Sequence, residues 1–275
     1  MTEVFTHQVR ALLARLNDQP RIECVSRVAM PKSESFFSEF AKAGYPVIFE
    51  GALEGSLSRR DIISILNEKY GEFSMQVRLG SYRDPGVYSK SREYQTLSLR
   101  EYLHILGHPL TDGTPYAANH PLPIEVCTDI GVNPPSFYSL NEYEQPALWL
   151  GPQGAITPLH KDSTDNFSCQ LWGEKKWTLF PVRDLPYLYM TIPRPNDFPD
   201  FATSAVDVKK PNLSQFPDFK LAHPVTVTVR AGEILYLPTG WGHHVESLSE
   251  SLMVNFWVSK TKRLPAILEA NESSA

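Results

Sequence analysis

Cysteine is scarce. Cys24, Cys127 and Cys169 are the only three in 275 residues, an odd number, widely spaced and without a CxxC pair. That excludes a disulfide scaffold and a cysteine-built zinc knuckle or redox motif, and it suits a reducing compartment. No stretch approaches the roughly 18 consecutive apolar residues of a membrane-spanning helix. The opening MTEVFTHQVRALLARLNDQP lacks the apolar core and small-residue cleavage site of a secretory signal. The expectation is a soluble, cytoplasmic protein. Positive charge is also in short supply, 26 Lys and Arg against 31 Asp and Glu for a formal net charge of −5. No global field therefore draws the chain to nucleic acid or to an anionic membrane, and the short Lys260-Thr261-Lys262-Arg263 run reads as a solvated face.

What is present is a globular composition, 42% hydrophobic and 11% aromatic, enough to fill a core. The length suits one large β-rich domain over 1–275, with a helical wrapping over about 1–112 and a β-barrel core over about 113–260. Helical spacing is read in residues 4–16, where Phe5, Val9, Leu12, Leu13 and Leu16 form one stripe, and in 35–43, ended by Gly44. Residues 45–50 read as a strand. Further helices open at Ser58, three residues before Asp61, and after Ser98, and they stop at Gly71 and Gly107. From about Thr114 the texture changes to short β-type runs separated by Gly, Pro and Asn, which predicts a mostly β sandwich or barrel. The strands expected are 115–118, 147–151, 156–160, 167–172, 176–180, 225–229, 233–237 and 252–258. Residues 181–224 form an insertion longer than an ordinary loop.

The densest polar run is Thr157-Pro158-Leu159-His160-Lys161-Asp162. On an extended chain residues i and i+2 share a face, so the His160 imidazole and the Asp162 carboxylate can reach one ion while Lys161 points away. The bland alternative is a solvated His and Asp on a surface strand. Far downstream comes a histidine pair, His243-His244, and closed β-structures make neighbours of such distant segments. One more imidazole would complete a set of two histidines and one carboxylate. Those donors leave up to three octahedral positions open, as in non-haem Fe(II) oxygenases, although a zinc hydrolase can use the same set. Lys175, after the Gly173-Glu174 turn, would with Thr157 suit the distal carboxylate of a dicarboxylate chelating the metal. Asn166 and Asn255 interrupt apolar segments and read either as members of a buried network or as pocket donors.

Taken with Gln170-Leu171-Trp172-Gly173-Glu174-Lys175, the segment Gly232 to His244 and Val254-Asn255-Phe256-Trp257, these motifs resemble the JmjC/cupin-like 2-oxoglutarate oxygenases. Within that group the chain is most similar to the asparaginyl-hydroxylase branch, and the resemblance covers about residues 30–260. It implies a double-stranded β-helix, or jelly roll, with N-terminal helices packed around it, and it implies Fe(II), 2-oxoglutarate as co-substrate and O2. By that resemblance His160, Asp162 and His243 are the metal ligands, with His243 preferred to His244 because it directly follows the Trp-x pair. Tyr116, Thr157 and Lys175 match the residues that hold the distal carboxylate, and Asn166 and Asn255 match polar residues at the cofactor's inner end. Trp257 is expected nearest the substrate, and Asn119 stands where relatives carry a glutamine that reaches it.

The implied activity is hydroxylation of an amino-acid side chain in a protein or peptide, or of a free small molecule. Alternatives are an N-methyl-lysine demethylase, for which Tyr138, Tyr143 and Glu144 could build a cage, a tRNA-modifying hydroxylase, against which the acidic balance speaks, and a non-catalytic metal-binding cupin. Leu148, Leu150, Leu159 and Trp172 are candidate cavity walls or ordinary core. Monomer and homodimer both stay open, since only 264–270 remain for a C-terminal helix.

Overall fold

Long runs of buried residues, rather than a strict inside-outside alternation, mark the central strands. The computed structural model describes residues 22–79, 93–108, 111, 113–162, 164–191 and 202–259. The helices expected over 4–16 and 264–270 and the basic run 260–263 lie outside the described residues. In chain order the strands are β1 (Ser26–Ala29), β2 (Val47–Glu50), β3 (Ser74–Arg78), β4 (Tyr94–Ser98), β5 (Ala117–Pro121), β6 (Ala147–Gly151), β7 (Ile156–Lys161) and β8 (Asp165–Trp172). They continue as β9 (Glu174–Phe180), β10 (Met190–Thr191), β11 (Ala202–Ser204), β12 (Val225–Arg230), β13 (Ile234–Leu237), β14 (Gly242–Ser247) and β15 (Ser251–Val258).

One sheet runs β1-β2-β13-β8-β15-β6-β5, the other β10-β11-β7-β14-β9-β12, and β3-β4 form a separate hairpin. Strands β6, β8, β13 and β15 alternate along the chain with β7, β9, β12 and β14 of the facing sheet, which is the double-stranded β-helix of a jelly roll. The fold is mostly β, as the sequence pattern implied. Every residue of β6 and β8 is buried because the first sheet is covered on both faces, by the second sheet and by helices.

Those helices form for local reasons. In α1 (Ser33–Ser35) the chain passes at once into a π-helical turn, Phe36–Ala41, two residues earlier than the spacing suggested. The wider turn brings Phe36 flat against Phe137, with ring centroids 4.0 Å apart, and edge-on to Tyr236 of β13. Helix α2 (Arg59–Tyr70) starts where the Ser58 side chain accepts from Asp61 N–H, and it buries Ile62 and Leu66. Helix α3 (Leu99–Leu106) opens on a reciprocal Ser98–Glu101 capping box. Its Tyr102 hydroxyl donates to Leu150 O at 2.6 Å, fastening the helix to β6. A short helix, α4 (Ile124–Asp129), buries Val126 and Cys127. Phe36 is fully buried in this helix-to-sheet core, so Phe36→Ala should cost about 3–5 kcal/mol. Chemical denaturation of both proteins checks this.

Several segments differ from the sequence reading, which did not include β1, β3, β4 or β14 among its strands. The strand expected at 115–118 is displaced to Ala117–Pro121, because a bulge between Ala117 and His120 shifts the pairing with β6. The insertion is not simply loop: β10 and β11 pair with each other, and β11 pairs with β7.

Candidate metal centre

β7 and β14 lie side by side, and His160 and His243 are direct cross-strand partners. Such partners project from the same face, so the two rings meet with centroids 4.0 Å apart. Each ring is oriented through Nδ1: that of His160 lies 2.7 Å from Pro158 O and that of His243 lies 3.1 Å from Trp241 O. A carbonyl oxygen only accepts, so both Nδ1 atoms donate and both Nε2 atoms are left to face inward. There they meet Asp162, just past the end of β7, at 3.9 Å from Oδ1 for His160 and 3.8 Å from Oδ2 for His243. Burial, reinforced by the neighbouring His243 and opposed by Asp162, pushes the His160 pKa well down. His160 is therefore neutral at physiological pH, the form that ligates a cation.

The adjacent histidine is directed elsewhere. His244 pairs with Thr178 of β9 on the outer face of the sheet, is itself buried, and has its pKa lowered to about 4 by that burial. Among the described residues His160, Asp162 and His243 are the one group of three or more His, Cys, Asp or Glu whose donor atoms lie within 4.8 Å of one another.

From this triad a cavity extends between the sheets. Lys175 lies in its wall, 1% exposed, with Nζ donating to Ser247 Oγ at 2.9 Å and standing 5.5 Å from the centre of the Tyr116 ring. No carboxylate among the described residues pairs with it. Burial alone lowers its pKa from 10.5 to about 7. The Tyr116 hydroxyl lies 3.5 Å from Thr157 Oγ1, so hydroxyl, phenol and ammonium share one region of the cavity. Gly151 makes room for that phenol: a Cβ there would sit 2.3 Å from the Tyr116 ring.

Asn255 also lines the cavity, and its buried Oδ1 has no hydrogen-bond partner. Asn166 is not in the cavity wall. It stands directly across from Trp257 and is 1% exposed, with neither amide atom partnered. Unsatisfied buried amides are uncommon and suit a site that receives polar atoms from a ligand. Trp257 lines the cavity, and its indole donates to Asp162 Oδ2 at 3.0 Å. Asn119 departs from the reading that put it against the substrate: it is exposed, outside the cavity wall, with φ of 53° at the β5 bulge.

The other expected walls fall on the far side of their strands. Leu148, Leu150 and Trp172 pack in the helix-to-sheet core, and Leu159 lies in a cluster with Phe180 and Leu188. The residues actually facing the cavity from these regions include Trp149, Trp177, Val245 and Met253, which sequence reasoning missed. Strand parity carried the signal on β6, since residues flanking Leu148 and Leu150 must face the other way. Of the proposed cage, Tyr138 and Tyr143 pack around Phe167, and neither they nor Glu144 line the metal cavity.

A jelly roll presenting two imidazoles and one carboxylate at the end of an interior cavity is a cupin-type barrel with a candidate metal centre. The chain belongs to the cupin-like domain family, whose pattern matches residues 33–263, and it takes its place among the JmjC/cupin-like proteins. It is 44% identical to JmjC domain-containing protein D of Dictyostelium discoideum over 106 residues, 38% of this chain and 23% of that protein. It is 29% identical to lysine-specific demethylase 8 of Danio rerio over 252 residues, 87% of this chain and 58% of the relative. With the human bifunctional peptidase and (3S)-lysyl hydroxylase JMJD7 it shares 34% identity over 126 residues, 40% of each. The matches thus take in less than two thirds of each of these relatives.

Proposed function

We propose that the chain is an Fe(II)- and 2-oxoglutarate-dependent oxygenase that hydroxylates an amino-acid side chain, in a protein or peptide or as a free small molecule, and releases succinate. The observation that carries this reading is the buried Lys175, with no carboxylate partner among the described residues, in the same cavity as the His160, Asp162 and His243 donors. In it those three hold the iron, Lys175, Thr157 and Tyr116 hold the distal carboxylate, and Asn255 serves the inner end of the co-substrate, with Asn166 outside the cavity wall. Bound there, iron with the 2-oxo acid would supply activation of O2 coupled to decarboxylation. The protein's part is orientation and exclusion of water. The Nδ1 hydrogen bonds fix both imidazoles, the apolar sheet faces keep the cavity dry, and the Lys175 ammonium completes its charge pairing only when an anion enters.

The names of two relatives, a lysine-specific demethylase and a lysyl hydroxylase, support an amino-acid side chain as the reacting group. Hydroxylation is favoured over demethylation because Tyr138, Tyr143 and Glu144 are absent from the cavity wall. A cytoplasmic location belongs to the same proposal, supported by three free cysteines, two of them buried.

The test is direct. Full-length protein with Fe(II), 2-oxoglutarate and air, screened against peptides and free amino acids, should release succinate and give a product heavier by one oxygen atom. Formaldehyde release would redirect the reading to demethylation, and absence of any 2-oxoglutarate turnover would remove it.

A further inference from the structure

Asp162 is the least constrained of the three candidate ligands: it lies past the last residue of β7 and has two equivalent oxygens to offer. Among the described residues its side chain accepts one hydrogen bond, from the Trp257 indole Nε1–H to Oδ2 at 3.0 Å. That indole comes from β15 in the facing sheet, so the bond spans the gap between the two sheets beside the triad. Its donor is held firmly. Trp257 is paired with Asn166 of β8, and its backbone carbonyl accepts from Glu144 N–H at 2.9 Å. A neighbouring bridge joins Tyr143 to Val258.

We propose that Trp257 is a positioning residue that makes Asp162 a one-oxygen ligand. The indole N–H occupies Oδ2 and sets the carboxylate plane, leaving Oδ1 to the ion. The inference rests on the triad binding a divalent metal, as the proposed function requires. A carboxylate without that donor turns freely about two torsions and can present both oxygens to one cation, taking up a fourth coordination position that a chelating co-substrate and O2 need. Outer partners of this kind fix the orientation of a ligand and raise its effective basicity, and losing one typically weakens metal binding by about 10–100-fold. This role differs from direct contact with substrate. It explains why the side chain in this position carries an N–H donor rather than only an apolar ring.

The probe is Co(II) alone, titrated into the full chain without co-substrate. Trp257→Phe keeps an aromatic wall and removes the donor, so its dissociation constant for Co(II) should rise roughly 10–100-fold. The visible d–d bands should change with it, as the carboxylate alters its binding mode. Trp149→Phe is the matched control. It removes another indole from the same cavity, one whose Nε1 has no partner, and should bind Co(II) within about twofold of the parent with an unchanged spectrum.

Parent-like affinity and spectrum in Trp257→Phe would overturn the assignment. Circular dichroism reports whether that variant folds. Should it not, the parent labelled with ¹⁵N at its five indoles is compared with Asp162→Ala, both metal-free. One indole N–H signal should move, and an unchanged set would equally overturn the proposal. A parent that binds no Co(II) at all would count against the proposed function, and the indole signal would then decide the Trp257–Asp162 hydrogen bond by itself.

Discussion

His160→Ala should abolish turnover of 2-oxoglutarate and weaken divalent-metal binding by more than the roughly 10–100-fold expected when an outer partner is lost. The ring contributes one of three donors, and the two left behind, Asp162 and His243, form an open pair with water in the third place. Both orienting hydrogen bonds matter here. The His160 imidazole is already neutral and already aimed through its contact with Pro158 O, so binding a cation at pH 7 displaces no proton from it and needs no reorientation. Removing it therefore loses a preorganised donor that solvent replaces poorly. Titration with Mn(II), followed by its electron paramagnetic resonance signal, measures the affinity, and succinate release measures turnover. Parent-like metal affinity in a folded variant would show that the triad is not the binding site.

The second large effect is at Lys175, and it runs in opposite directions for binding and stability. Lys175→Met should reduce 2-oxoglutarate affinity by about 30-fold to several thousandfold, the equivalent of about 2–5 kcal/mol for leaving one partner of a buried charge pair alone. The same change should raise the melting temperature of the ligand-free protein. In the parent a 1% exposed ammonium has Ser247 Oγ as its hydrogen-bond acceptor, and burial lowers its pKa from 10.5 to about 7. The unfolded chain therefore holds this proton more tightly than the folded one between about pH 7 and 10.5. Across that window this group makes the folded state more stable as pH rises, and its full penalty is felt below pH 7. Ligand binding has the opposite slope. A dicarboxylate prefers the protonated amine, so its dissociation constant should climb toward tenfold per pH unit above about 7 in the parent and stay flat in Lys175→Met. Calorimetric titrations from pH 6 to 9 decide the matter, and parallel profiles for the two proteins would refute it.

Short-range rules carried the mostly β texture and the shared face of His160 and Asp162, whereas the jelly roll and the choice of His243 came from the family resemblance. Thr157 to Asp162 announces a strand ending in a polar corner, and the opposite facing of neighbours on a strand already requires His243 and His244 to diverge. Strand parity could also have placed Trp149 inward once Leu148 and Leu150 were assigned to the core. Other features depend on register between distant segments, which no local pattern encodes. Ser247 meets Lys175 because β14 and β9 pair in one particular alignment, and Trp257 reaches Asp162 only when β15 and β7 lie in facing sheets. The bulge at Asn119 shows the converse, where one extra residue turns a side chain out of the place that its motif position suggested.

The two short strands of the insertion settle where the sheet that carries both histidines comes to an end. With β11 laid along β7 and β10 beyond it, His160 is paired with the fully buried Thr203, Thr203 in turn with Thr191, and the outermost strand is only two residues long. Trimming the insertion to a tight turn would leave the His160 strand as the rim of the molecule, its amides and carbonyls open to water and to other chains. What reads in the sequence as an overlong loop thus serves as a hem, stitched along the one border of the barrel that the metal centre could least bear to have unravel.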